Sequence, residues 1–356
     1  MDEQVLIVGM GANTSVGRSA WASAAAVRAG ITGFAEHPYM IDTAGQPMRG
    51  AIAPWLDIGL KGIERFQALL LPAIEEALLV LQGKPRSGVS RCAIALALPS
   101  ARPGLPEALA NGLTRGIRRH FFGEVFSSAA TFANGHAAGL MALQAACSKL
   151  RSGELDACVL AGVDSWIQPE TLEWLERCDQ LHSAGLLNNA WGFVPGEAGA
   201  ALLLVRQRVA EALGLPSLGQ VLSVGTALEP KRIKTDTVCI GEGLTKAFQG
   251  ALAALPPGTL VSDVYCDMNG EPYRADEFGF ATLRTKEHFE SPSRFNAPAD
   301  CWGDVGAAGS VLHVILACVA SQKRYANGVR AFVWASAEMG ERSAAVVTLG
   351  CTTNRN

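Results

Sequence analysis

This sequence predicts an α/β fold built from two duplicated halves, and three observations carry the prediction. Short apolar or β-branched runs alternate with helix-spaced segments along the chain, the pattern of strand–helix units rather than of a bundle or a sandwich. Several strand runs, such as RCAIALALPS (Arg91–Ser100), lack polar alternation, as expected of a sheet covered on both faces. Two glycine-entered helices of small residues, GHAAGLMALQAA from Gly135 and VGAAGSVLHVIL from Val305, share an AAG core at Ala137–Gly139 and Ala307–Gly309. Each is followed by a short loop and a buried strand.

The individual elements follow from local patterning. QVLIVGMG (Gln4–Gly11) is a buried strand with a glycine exit, and WASAAAVRAG (Trp21–Gly30) is a helix stopped by glycine. Ile63–Gly83 has the periodicity of a long amphipathic helix, kinked or broken at Pro72. Arg91–Ser100 is a strand, followed by helix Ala137–Leu150, strand Ala157–Gly162 and a glycine-entered strand Gly192–Val205. The second half repeats the plan. It has strand Gly219–Leu228, helix Leu244–Leu255, strand Val261–Gly270, helix Cys301–Lys323 and strands Val329–Ala337 and Ser343–Gly350. Ala and Gly permit close backbone approach, so the halves (residues 1–210 and 211–356) are expected to stack as one unit with the two small-residue helices between their sheets.

Composition removes several function classes. Charged residues are 18% and apolar residues 49%, with 38 glycines, as in a tightly packed α/β protein. The net charge of −3 and the absence of a Lys/Arg block argue against nucleic acid as a partner. The longest apolar runs, such as Ser310–Ala320, are too short to span a bilayer, and the acidic start MDEQVLIVGMG leads to a cytoplasmic expectation. Nine cysteines at 92, 147, 158, 178, 239, 266, 301, 318 and 351 form no CxxC pair, so neither a zinc knuckle nor a redox motif is implied. The turn GMGANTSVG (Gly9–Gly17) departs from GxGxxG spacing and lacks a following acidic partner, so no cofactor is expected.

The order of motifs resembles that of the β-ketoacyl-acyl carrier protein synthases of the thiolase superfamily, from Val5 to Leu349. The family's A-C-x-x-G nucleophile loop is matched by Gly135-His136-Ala137-Ala138-Gly139, followed by Arg151-Ser152-Gly153-Glu154-Leu155-Asp156 and Ala161-Gly162-Val163-Asp164. WGFVPGEAGAALLLV (Trp191–Val205) matches DGFVxGEGAGxLVL, WGDVGAAG (Trp302–Gly309) matches GHxxGAAG, and DMNGEPY (Asp267–Tyr273) falls on AHGTxT. The resemblance implies a thiolase-like fold, two α/β halves in five layers (αβαβα), and a dimer.

The departures fall on the chemistry. The family's cysteine stands where a helix dipole favours thiolate and accepts the acyl chain, while two histidines stabilise the enolate of the decarboxylating malonyl thioester. Here those three positions hold His136, Asn269 and Gly303, and SAEMGERSA (Ser336–Ala344) replaces the closing glycine-rich loop. Cys147, Cys266 and Cys301 have no neighbouring base in sequence and read as packed thiols.

A helix N-terminus disfavours a cationic imidazole, so His136 is expected neutral at neutral pH; a carboxylate such as Asp304 near it would raise its pKa. Two roles stay open for it: a general base or carbonyl hydrogen-bond donor, or a filler of the lost cysteine's volume. The catalytic candidates are His136, Asn269 and Asp304; the substrate-lining candidates are Gly135, Gly139, Gly270, Glu271, Arg274, Gly303 and Gly306. Glu271 and Arg274, in a polar run whose alternative reading is a solvated loop, are expected to form a buried ion pair. No metal site is implied.

The resemblance leaves three readings. The first is a non-condensing accessory akin to chain-length factors or secretion-accessory proteins, binding an acyl thioester, a carrier protein, a synthase or a secretion partner. The second is an acyltransferase or malonyl decarboxylase run by His136, and the third is a purely structural protein. The first is favoured, as a homodimer or as a heterodimer with an active synthase.

Overall fold

The computed structural model describes residues 3–121, 125–233 and 235–350; Cys351 lies outside them. The first half begins with β1 (Val5–Thr14), α1 (Ala20–Arg28), the hairpin β2 (Phe34–Ile41) and β3 (Pro47–Ala51), and α2 (Gly62–Leu78). It continues through β4 (Cys92–Ala97), α3 (Leu109–His120), β5 (Ser128–Phe132), α4 (Ala138–Arg151), β6 (Ala157–Ser165), α5 (Pro169–Arg177), β7 (Glu197–Arg206) and α6 (Gln207–Leu213). The second half has β8 (Gly219–Leu228), α7 (Glu242–Leu252), β9 (Asp263–Cys266), α8 (Pro272–Leu283) and a one-turn α9 (Ala299–Trp302). It closes with α10 (Gly309–Gln322), β10 (Arg330–Ser336) and β11 (Glu341–Leu349).

The duplication is visible in the pairing. In the first half β4 runs parallel to β6, β6 antiparallel to β7, and β7 antiparallel to β1. In the second half β9 runs parallel to β10, β10 antiparallel to β11, and β11 antiparallel to β8. β5 extends the first sheet at its outer edge. The sheets are hydrogen-bonded to each other through the start of β1, where Val5–Ile7 pair with Gly219–Val221 of β8.

Alternate side chains along these strands feed three cores, which is how five layers arise. Ile7, Leu160 and Leu202 of the first sheet and Val333, Ala345 and Val347 of the second enclose α4 and α10. The opposite face of the first sheet (Ile94, Val159, Leu203) packs on α2 and α3. That of the second (Val264, Phe332, Val346) packs on α7 and α8. Gly9 and Gly11 serve this packing, since a Cβ at either would collide with the carbonyls of Ala77 and Ala73 in α2.

Several sequence expectations need correction. α2 passes through Pro72 without a break. Proline removes the donor that would serve the carbonyl four residues back, and the Asn13 side chain supplies one instead, its Nδ2 donating to the Ala68 carbonyl at 3.2 Å. The expected strand Gly192–Val205 starts only at Glu197, because residues 193–196 make isolated bridges to Leu181, Asp304 and Ala51. The strand expected over Val261–Gly270 is confined to Asp263–Cys266, and residues 272–283 form α8 rather than a solvated loop. The helix expected over Cys301–Lys323 is interrupted at Gly303 (φ +72°).

The two central helices repeat in a register one residue away from the shared AAG. Each is entered by a 3₁₀ turn, Gly135–Ala137 and Gly306–Ala308, and each begins directly after it. What recurs is the left-handed glycine, Gly135 at φ +56° and Gly306 at φ +48°, which turns the chain into the helix.

Candidate active site

The two 3₁₀ turns bring residues from both halves to one point. His136 lies in the first turn, 6% exposed, and its Nε2 donates to both oxygens of Asp304, at 2.8 Å and 2.9 Å. Asp304 precedes the second turn and accepts from the backbone N–H of Gly306 at 2.8 Å. Asn269, in the loop after β9, donates through Nδ2 to Asp304 at 2.6 Å and to Glu271 at 3.1 Å. Arg274 on α8 is buried behind this pair. Its Nη1 donates to Asp267 Oδ2 at 2.8 Å and to the Ser336 carbonyl at 2.9 Å, while Nε is 3.5 Å from Glu271. Arg274 therefore pairs more closely with Asp267, a residue the sequence reading did not single out, than with Glu271.

The electrostatics shift His136 towards the protonated form, against the expectation of a neutral imidazole. Burial alone pulls the His136 pKa down, but the Asp304 carboxylate outweighs it and the net displacement is upward. Burial would likewise raise Asp304, yet His136, Arg274 and the Asn269 amide hold its carboxyl well below the usual range. His136 and Asp304 form a buried, hydrogen-bonded pair. With the imidazole protonated, the 3.4 Å approach of Arg274 Nη2 to His136 Nε2 brings two donors together, and Asp304 screens them.

The space left over is small. A cavity of about 10 Å³ is bounded by His136, Asn269, Asp304, Gly303, Gly306 and His313, among others. That is room for about one water molecule. Gly135, Gly139, Gly270, Glu271 and Arg274 do not line it. A Cβ at Gly139 would meet Ser310 across the α4–α10 crossing, and one at Gly135 would come within 2.9 Å of Ser100 Oγ. At Gly303 a Cβ would stand 2.7 Å from the Val194 carbonyl, so no histidine fits there without moving the backbone.

His313, on α10, was not visible as a site residue in the sequence. Burial lowers its pKa to about 3, and Nδ1 has no hydrogen-bond partner among the described residues. Cys147 is pushed up to about 12 by burial; Cys266 and Cys301 are also raised by burial, and none is a thiolate.

A belt of polar contacts closes the site. Gln180 donates to Glu271 at 3.3 Å and also to Glu338, which stands in the segment replacing the family's glycine-rich loop. Asp164 pairs with Arg102 at 2.6 Å and accepts from Ala307 N–H at 3.0 Å, and the Arg102 guanidinium lies 3.7 Å over the Trp166 ring. Gly196 N–H donates to the Asp304 carbonyl at 2.8 Å, and Glu197 forms a buried two-point pair with Arg65.

Residues 129–210 match the β-ketoacyl synthase N-terminal domain family model. One similar structure is a type II polyketide synthase acyl-carrier protein in complex with its ketosynthase bound to the hexaketide. It has a TM-score of 0.81 and 16% identity, over 98% of this chain and 100% of that one. The chain has the thiolase-like ketosynthase fold. The ishigamide ketosynthase/chain length factor matches with a TM-score of 0.80 and 16% identity, again over 98% and 100%. A ketosynthase from module 6 of the bacillaene synthase of Bacillus subtilis 168 matches with a TM-score of 0.75 and 16% identity, over 98% and 72%. No curated protein matches the sequence. Among the described residues no helix is long and apolar enough to cross a membrane.

Proposed function

We propose that this chain is a non-condensing ketosynthase-like protein, an accessory that pairs with an active synthase or carrier protein rather than loading an acyl chain itself. One observation carries the reading: the position that needs a thiolate holds His136, hydrogen-bonded to Asp304 beside a cavity of about 10 Å³. An imidazole whose Nε2–H is donated to a carboxylate has no lone pair at that nitrogen for a base or nucleophile to use, which weighs against a His136-driven decarboxylase or acyltransferase. The ketosynthase/chain length factor among the similar structures supports an accessory role, and the carrier-protein complex supports an acyl carrier protein as one class of partner. A secretion partner is the other class consistent with such an accessory.

The edge of the first sheet supports association. β5 is the outermost strand, reads Ser-Ala-Ala-Thr-Phe with no charge, and exposes Ser128, Ala130 and Thr131. Uncharged edges of this kind pair with another strand unless they are covered. A homodimer, or a heterodimer with a synthase, would cover it.

The test is incubation with malonyl- and acetyl-loaded carrier protein, read by intact-mass spectrometry and product analysis. The proposal expects no ketoacyl product, no acyl adduct and no release of carbon dioxide. An acyl group covalently attached in the central site would overturn it. Decarboxylation lost in His136→Ala would establish the enzymatic reading instead.

A further inference from the structure

Far along α10 from the candidate site, a second pocket has the features of a ligand site. It occupies about 290 Å³ between α1, β9 and the end of α10, close to the size of a small-molecule site. Its wall includes Arg28 from the last turn of α1, Tyr265 from β9, Arg294, Leu316, and Tyr325 just after α10.

Three of these groups are unusual together. Tyr265 is only 6% exposed, yet its hydroxyl has no hydrogen-bond partner among the described residues. The hydroxyl is not one of the fully buried polar atoms, so it opens onto the pocket. Burial, and after it the nearby Asp263 carboxylate, hold that group protonated, so it is available as a donor. Arg28 and Arg294 have no carboxylate partner among the described residues either; Arg28 lies 4.0 Å over the Tyr325 ring. The pocket's one carboxylate, Asp263, is turned onto Ser262, Asn327 and the Gly328 N–H. Two exposed guanidiniums without a carboxylate partner and a phenol donor outnumber the single Asp263 charge at this pocket, and match the several acceptors of a phosphate monoester. The protein's net charge of −3 makes general attraction of anions an insufficient explanation.

Beyond Arg28 and Tyr325 the surface opens into a second hollow of about 460 Å³ along Trp21, Ala25 and Val319. Trp21 is 41% exposed. An aromatic or alkyl group attached to the phosphate would lie there.

We propose that this pocket binds a small organic phosphate, with the phosphate on Arg28, Arg294 and the Tyr265 hydroxyl and its apolar portion along Tyr325 and Trp21. Nothing in this assignment depends on the reading of the central site.

Isothermal titration calorimetry with phenyl phosphate on the full chain tests it, with inorganic phosphate and benzyl alcohol as separate probes. The expected result is saturable phenyl phosphate binding, weaker for phosphate and weakest for the alcohol. Losing one charge-assisted contact, as in Arg294→Gln, is expected to weaken binding by at least about tenfold. Tyr265→Phe should weaken it several-fold, with melting curves confirming the fold. No saturable heat in the wild type, or binding indifferent to Arg28→Gln and Arg294→Gln, would overturn the assignment.

Discussion

His136 and Asp304 were both legible as candidates from their motif positions, but their pairing was not, because it joins residues 168 apart. The pair has a definite pH signature. His136 has its pKa raised on folding, so its contribution is complete below the ordinary value of about 6.5 and fades as pH rises through the folded value. Asp304 has its pKa depressed, so its contribution is present above the ordinary value of about 3.9 and is lost as pH falls through the folded one. The pair is therefore fully stabilising between roughly pH 4 and 6.5. Urea unfolding of Asp304→Asn against wild type is expected to give the largest deficit in that window, about 3 kcal/mol, shrinking at alkaline pH. A pH-independent deficit would mean that the imidazole is neutral.

Arg274 makes a second prediction at the same scale. Arg274→Met leaves Asp267 buried without its cation and should cost about 3–5 kcal/mol. Adding Asp267→Asn should recover part of the loss in a double-mutant cycle. Asp267 escaped notice because a carboxylate at the end of a buried strand reads as the start of a polar loop. Only the turn into α8 brings Arg274 back onto it.

At the level of elements, the glycines that open the two central helices do different amounts of work. Gly135 and Gly306 share the left-handed backbone, which costs any L side chain of the order of 1 kcal/mol. They differ in their surroundings. A Cβ at Gly306 runs into the Asp164 carboxylate, which is held by Arg102 and caps Ala307, whereas one at Gly135 meets the single Ser100 hydroxyl at 2.9 Å. Gly306→Ala should therefore destabilise the protein clearly more than Gly135→Ala in chemical denaturation; equal losses would show that backbone strain alone decides.

Strand and helix existence were largely readable from apolar runs and glycine stops, since both sheets are covered on two faces. The misreadings have tertiary causes. α2 survives Pro72 because Asn13, a residue of β1, supplies the missing donor, and no local pattern carries that information. The segment before Glu197 looks strand-like in sequence but is drawn away by bridges to Asp304 and Ala51.

For the molecule as a whole, the ketosynthase-like layers enclose a central cavity of only about 10 Å³. Restoring one side chain should then not restore chemistry. In His136→Cys the new thiol would sit in a buried site beside Asp304, and both burial and the carboxylate would push its pKa up instead of favouring thiolate. Asn269 would still face Asp304, and Gly303 has no room for a histidine. The expected outcome at neutral pH is slow labelling by iodoacetamide and no acyl adduct from a loaded carrier protein. Rapid labelling and acylation would mean that the centre opens far beyond the volume seen here, and the accessory reading would fall with it. Association should respond to a different change altogether. Ala130→Lys places a charge on the β5 edge and touches nothing in the central site. Sedimentation analysis should therefore find the proposed dimer, or the proposed complex with a co-expressed synthase, reduced to monomer, with any fall in melting temperature no larger than the lost association accounts for. An unaltered assembly would place the interface elsewhere.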